Sequence, residues 1–318
     1  MSVKKSGSSK GGAVPQELLD GARRGDASAL LELDSKGFLL APGESAEEYA
    51  ARVEEIVRRA AEFQSELERA GKIEIPGLAT LERDRRIGGA MDEAAEITSE
   101  AYGFSVDWVP GFFLSKGLGL LWGGCAVSFA DDPLPVFLIR AVFAEKRKWL
   151  FYRREELLAH ELCHVARSPL RDAKYEETFA YRVSPSRFRS YFGGCFERQH
   201  DALLFLAPFF MLLAAQTAKL YFGMSWIPMP LFWGLTALVP ALFLLKNHLA
   251  RKVLFKAEKS LRRAEIAEPF RLLFRSTAAE IAEIASFAGD SEGLSRWLDG
   301  KRASEPRWEV AVASARGD

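Results

Sequence analysis

The sequence predicts an α+β protein that carries a pair of membrane-spanning helices, on three observations. Residues 126–129, 135–143 and 148–152 are dense in β-branched and aromatic residues, which suits strands. Long stretches on either side repeat their apolar residues at helical spacing. Residues 202–218 are uncharged, and after Lys219 the chain is uncharged again from 220 to 245. A hydrocarbon core about 30 Å thick takes about twenty helical residues, and each half comes close.

Taken in order, residues 1–15 are Ser-, Gly- and Lys-rich and read as a disordered tail. Residues 16–102 read as a helical N-terminal region. Within it, Glu44-Ser45-Ala46-Glu47-Glu48 opens a long helix with Val53, Val57, Ala60 and Leu67 on its apolar side. Gly71 ends that helix, and a further one is expected over 88–101. Residues 103–200 combine the three strands with two helices and form the expected catalytic core. The connections between strands fall at Asp131-Asp132-Pro133 and at 144–147.

Residues 201–246 form the expected transmembrane hairpin. Tyr221, Trp226 and Trp233 cluster at its turn, where aromatic side chains favour the interface, and Lys219 can extend its amine toward the headgroups there. Pro208 and Pro240 can kink the spans without breaking them. Arg187, Arg189 and Arg198 precede the hairpin, and Lys246, Arg251, Lys252 and Lys256 follow it. Positive flanks face the cytosol, so both termini and the catalytic core are expected on the cytosolic side of an inner or plasma membrane. Residues 247–318 read as a helical C-terminal region, basic at first. His200 and His248 flank the hairpin as interfacial side chains.

The formal net charge is zero, which offers no nucleic-acid surface. The three cysteines, Cys125, Cys163 and Cys195, form no CxxC and no disulfide framework. With no apolar N-terminal region, secretion is not expected. The expected partner of the hairpin is a lipid bilayer.

The chemistry centres on His160-Glu161-Leu162-Cys163-His164, an HExxH arrangement that takes two of the four histidines. Residues four apart on a helix share a face, so both imidazoles can reach one metal ion. Glu161 stands one step round, where it can take a proton from metal-bound water. Residues 153–159 lead in without Gly or Pro, Leu158, Leu162 and Val165 supply the opposite apolar side, and Ser168-Pro169 stops the helix. Arg153, Arg154, Glu155, Glu156 and Arg167 surround the motif, which places it outside the hydrocarbon. Cys163 points away from the histidines and reads as a small buried thiol.

Catalytic zinc usually takes three protein ligands plus water. A second helix is expected over 173–181, with Tyr175, Phe179 and Val183 as its stripe, returning beside the first after a short turn. Glu176 and Glu177 are both candidates for the third ligand. They lie about 100° apart on the helix, so one of them should point at the metal.

This segment, about forty residues from Phe151, resembles the gluzincin zinc metallopeptidases, and its short motif-to-glutamate spacing looks most like the compact minigluzincins. There the third ligand is a glutamate opening an ExxA-like run. Glu177-Thr178-Phe179-Ala180-Tyr181 fits this in part, with Tyr181 standing where an acid or amide is common. The resemblance implies a zincin-like domain binding one Zn2+ through His160, His164 and Glu177, with Glu176 in reserve. It implies Glu161 as general base, and a sheet edge that holds an extended substrate. Tyr175 and Tyr181 are phenols that could hydrogen-bond a developing oxyanion, and Tyr181 is carried forward as the catalytic candidate beside Glu161. The expected function is a membrane-anchored zinc metalloendopeptidase cutting a polypeptide at the cytosolic face. The alternative is a membrane-anchored interaction or regulatory protein whose site is silent or structural.

Overall fold

A computed structural model describes residues 14–75, 77–114, 123–129, 132–150, 152–197 and 200–316. The expected tail, the connection at Asp131, Phe151 and Arg198 therefore fall wholly or largely outside the described residues. Helices α1 (Gln16–Arg23), α2 (Ala27–Ser35) and α3 (Ala46–Ala70) precede strands β1 (Lys72–Ile75) and β2 (Ala79–Glu82) and helix α4 (Ala90–Tyr102). Then come β3 (Gly111–Leu114), β4 (Gly124–Phe129), β5 (Asp132–Arg140), α5 (Val142–Glu145), β6 (Lys148–Trp149), β7 (Tyr152–Arg153) and α6 (Arg154–Arg167). A 3-10 turn over Ser168–Leu170 leads to α7 (Glu176–Arg182), α8 (Arg187–Gly193), α9 (Asp201–Tyr221) and α10 (Met229–Arg263). Four helices close the chain: α11 (Pro269–Phe274), α12 (Ala278–Ser286), α13 (Ser291–Ser304) and α14 (Pro306–Arg316). The class is mixed α+β, rich in helix with small sheets.

The chain divides into two compact units. One takes the residues up to 171 with 265–275 and those from 295 on, and the other takes 172–264 with 276–294. This division passes through the expected 103–200 core at Arg171/Asp172.

In the first unit β5 is the middle strand of a three-stranded sheet, parallel to β3 and antiparallel to β4. Val136 and Leu138 point to one face and pack with Leu67, Ile75, Leu81, Phe112 and Leu114. Phe137 and Ile139, one residue out of phase, are fully buried on the other face, as the two-residue period of a strand requires. A strand buried on both faces reads as a continuous apolar run, which is why 135–140 was legible. The expected continuation to Phe143 is not a strand: the chain turns into α5 at Val142, and Phe143 is buried from a helix. Residues 148–152, expected as one strand, instead fold back on themselves as the β6–β7 pair about Leu150, whose φ is 51°.

The N-terminal region, expected to be helical throughout, includes the antiparallel β1–β2 hairpin. Helix α3 begins at a capping box in which Ser45 and Glu48 satisfy each other's backbone N–H, and ends at Gly71 with φ 73°, a left-handed position glycine adopts freely. Its buried stripe is Tyr49, Ala50, Val53, Ile56 and Leu67, while Val57 and Ala60 are half-buried. Tyr49 turns the stripe by donating its hydroxyl to the Phe38 carbonyl at 2.6 Å. Deeper in this unit Arg275 and Asp34, each 2% exposed, form a bidentate pair with Nε to Oδ2 at 2.9 Å and Nε to Oδ1 at 3.1 Å. Arg275 also donates to the Tyr102 and Arg271 carbonyls at 2.9 Å, so its donors meet acceptors on α4 and α11 as well as on α2.

In the second unit α9 and α10 pack together, α12 packs on α10, and α7 packs on α8. Helices α9 and α10, of 21 and 35 residues, are both long and apolar enough to cross a membrane. Their large side chains face outward: Leu203 is 71% exposed and Leu220 77%. Thr236 Oγ1 lies 2.8 Å from the Phe232 carbonyl of its own helix and 3.2 Å from the Pro208 carbonyl of α9, so its one proton is shared between them. Helix α10 continues past the apolar stretch to Arg263 without a break.

Candidate metal centre

Helix α6 is buried on nearly every side. Leu158 and Leu162 are fully buried and Val165 nearly so, as their spacing predicts, and Cys163 is fully buried with them. Glu155, Glu156 and Arg167, which read as charges around the motif, are buried within the protein. Glu155 is reached by Arg153 Nη2 at 2.6 Å. The Arg167 guanidinium lies 5.4 Å from the Phe274 ring and donates to the Phe274 carbonyl. The half-buried positions that remain in the motif are His160, Glu161 and His164.

The Nε2 atoms of His160 and His164 lie 3.1 Å apart. Two zinc–nitrogen bonds of about 2.0–2.1 Å at a tetrahedral angle put the nitrogens about 3.3 Å apart, so the pair is spaced for one ion. The same distance would also suit one imidazole donating to the other. One donor atom from each of His160, His164 and Glu177 lies within 4.8 Å of the others. Glu176 is not in that set. Two imidazoles and a carboxylate are a donor set that zinc accepts.

Glu161 accepts the Ala126 N–H at 2.9 Å. Burial raises its carboxyl above the ordinary range, opposed by His164 and by that hydrogen bond. The register explains why Ala126 is the donor. Arg140 donates to the Gly123 carbonyl at 3.0 Å, and antiparallel pairing alternates, so Cys125 and Val127 bond toward β5 while Ala126 faces the free edge. Among the described residues no strand pairs on that edge, whereas β3 meets Arg86 and Ile87 on its outer side. The open edge, left undecided by the sequence, is therefore β4, and it runs past Glu161.

Glu177 stands in the first turn of α7. Phe179 and Tyr175 are fully buried as their stripe predicts, and Val183 is half-buried. The Tyr175 hydroxyl donates to the Ala250 carbonyl of α10 at 3.4 Å, and burial pushes its pKa up to about 12. That phenol is committed to the protein, which removes it as an oxyanion donor in this conformation. The Tyr181 ring lies directly over Gly193, where any Cβ would come within 2.0 Å of it. A Cβ on Gly194 would likewise meet Thr178 Oγ1 at 2.8 Å and Asn247 Oδ1 at 2.9 Å. The helix carrying Glu177 is thus seated on a Gly-Gly step and on α10.

Sequence reasoning missed Ala126, Gly193 and Gly194. The Gly-Gly dipeptide closing a short helix was a visible signal of close approach, while a backbone N–H carries no side-chain signature. His200 and His248 are exposed and lie outside the donor set. Compared with protein-family models, with characterised proteins and with solved structures, the chain matches none.

Proposed function

We propose that this chain is a membrane-anchored, zinc-dependent metallopeptidase of the gluzincin type, with a zincin-like arrangement of β4, α6 and α7. The observation that carries the reading is the grouping of His160, His164 and Glu177 beside the half-buried Glu161. Bound by these three residues, a zinc ion would supply Lewis acidity to a water and to the scissile carbonyl. Glu161 takes the water proton and delivers it to the leaving amine, the role a raised carboxyl next to the site suits. The β4 edge holds the substrate as an added strand. As a substrate carbonyl accepts the Ala126 N–H, the Glu161 carboxylate loses its partner and turns to the water. Tyr181 remains the candidate donor to the oxyanion.

Helices α9 and α10 cross the bilayer as a hairpin in this reading. Arg187, Arg189, Lys246, Lys252 and Lys256 at its flanks support a cytosolic side for them and for the site. The partners are the bilayer and a polypeptide substrate near it.

Glu161→Gln tests the mechanism. In hydrolysis of a quenched fluorescent peptide library by the detergent-solubilised chain, the variant should lose activity by about 10²–10⁴-fold while keeping its zinc. Undiminished cleavage would reject the mechanism. If neither chain cleaves and both hold zinc, the silent or structural site is the better account.

A further inference from the structure

Helix α8 presents an apolar pair that the catalytic reading does not use. Phe188 is 68% exposed and Phe192 38%, and their ring centroids lie 4.4 Å apart. They are one helical turn apart, so they form one ridge. Exposed aromatic area costs free energy in water at about 25 cal/mol per Å².

The position of α8 within its own unit says what it contacts. Asn247 Nδ2 donates to the Tyr191 carbonyl at 2.9 Å, and Arg251 donates to the Ser190 carbonyl with its guanidinium 5.0 Å from the Tyr191 ring. The segment after α8 is fixed as well: Phe196 packs on Phe205 of α9 and Phe243 of α10, and Lys246 pairs with Glu197 at 2.6 Å. At 1.5 Å per residue, Asn247 and Arg251 stand about 3 Å and about 9 Å beyond Leu245, the last residue of the uncharged run. A headgroup layer is about 5–8 Å thick on each side of the hydrocarbon, so Asn247 falls within it and Arg251 at its outer edge, and α8 is bonded to both.

Charge agrees with this position. Arg187, Lys252 and Lys256 are exposed around the same end of the hairpin, beside the Lys246–Glu197 pair. The acidic residues there are engaged: Glu197 with Lys246, and Asp201, which is buried and accepts the Glu197 N–H at 2.8 Å. An aromatic ridge flanked by exposed cations is what an anionic leaflet attracts.

We propose that α8 is an interfacial anchor, lying in the plane of an anionic leaflet with Phe188 and Phe192 inserted below the headgroups. The proposal rests on the transmembrane reading of α9 and α10. It gives that reading a consequence for the site: α7, which carries Glu177, packs on α8, so the third-ligand helix is held at the bilayer surface.

The test reads depth directly. A nitroxide on Phe188→Cys is compared with one on Leu213→Cys in α9, in nanodiscs of anionic or zwitterionic lipid. Labelling of Cys125, Cys163 and Cys195 is measured on the parent chain. Depth is read from collisions with oxygen against a water-soluble nickel chelate. The proposal expects oxygen to dominate at both positions, and the Phe188 label to move outward in zwitterionic lipid or high salt. Chelate access at 188 with oxygen dominant at 213 overturns the anchor and leaves the spans standing. Chelate access at both overturns the spans and the anchor together. A label at 188 reached by neither collider is covered by protein, which also overturns the anchor.

Discussion

Leu158 and Leu162 of α6 are fully buried, whereas Leu203 and Leu220 of α9 are 71% and 77% exposed. Both helices are rich in leucine, yet one hides it and the other displays it. In the first unit burial extends even to charges, with Asp34, Arg275 and Arg167 at 2% exposure or less. In the second, the exposed large apolar side chains lie mostly on α9 and α10 among the described residues. Water accounts for the first arrangement, because apolar area is driven inside and buried charges must then be paired. The second arrangement suits helices long and apolar enough to cross a membrane, as α9 and α10 are.

The contrast can be broken at Asp34. Removing one partner strands the other charge in the core, so Asp34→Ala should cost about 3–5 kcal/mol in the first unit. Urea unfolding followed by tryptophan fluorescence measures it. A loss below about 1 kcal/mol would mean that the core is wetter than its geometry implies.

A matched pair of leucines sharpens it. Leu162→Ala should cost about 2–5 kcal/mol, through lost transfer energy and the cavity left behind. Leu213→Ala, at a position 60% exposed, should change stability in detergent by less than about 0.5 kcal/mol. Equal losses would show that the hairpin is covered by protein and would remove the case for lipid.

The smallest effect lies on the surface of the first unit. Arg302 hydrogen-bonds Glu309 at 2.9 Å and holds its carboxyl below the ordinary range. A lowered pKa adds stability above the unfolded value, lost as pH falls through the folded one. With the carboxylate side chain 41% exposed the contribution is only tenths of a kcal/mol. Arg302→Ala should therefore lower the midpoint slightly at neutral pH and leave it unchanged in acid. A difference that persists in acid would assign the effect to packing.

Much of this was legible wherever the signal is local. The HExxH spacing, the Ser45/Glu48 box and Gly71 each act within a turn or two; α3 begins and ends where Ser45 and Gly71 dictate, and α6 stops at Ser168-Pro169. The hairpin was legible from length and lack of charge. The misses involve pairings between distant residues. β3 is four residues long and is defined by its parallel pairing with β5. β1 and β2 are short enough for the helical pattern before them to have been extended across, although Pro76-Gly77 marked a turn. At the site, the histidine pair could be read from spacing alone. The commitment of the Tyr175 hydroxyl to Ala250 and the hold of Ala126 on Glu161 depend on chain segments far apart in sequence.

The central claim is a three-ligand zinc site, and metal content tests it most directly. Elemental analysis of the detergent-purified chain should find close to one zinc per molecule. Glu177→Ala should lose that zinc and Glu176→Ala should keep it. No zinc after reconstitution, or zinc retained by Glu177→Ala, would contradict the account and reduce His160 and His164 to a hydrogen-bonded pair on a buried helix.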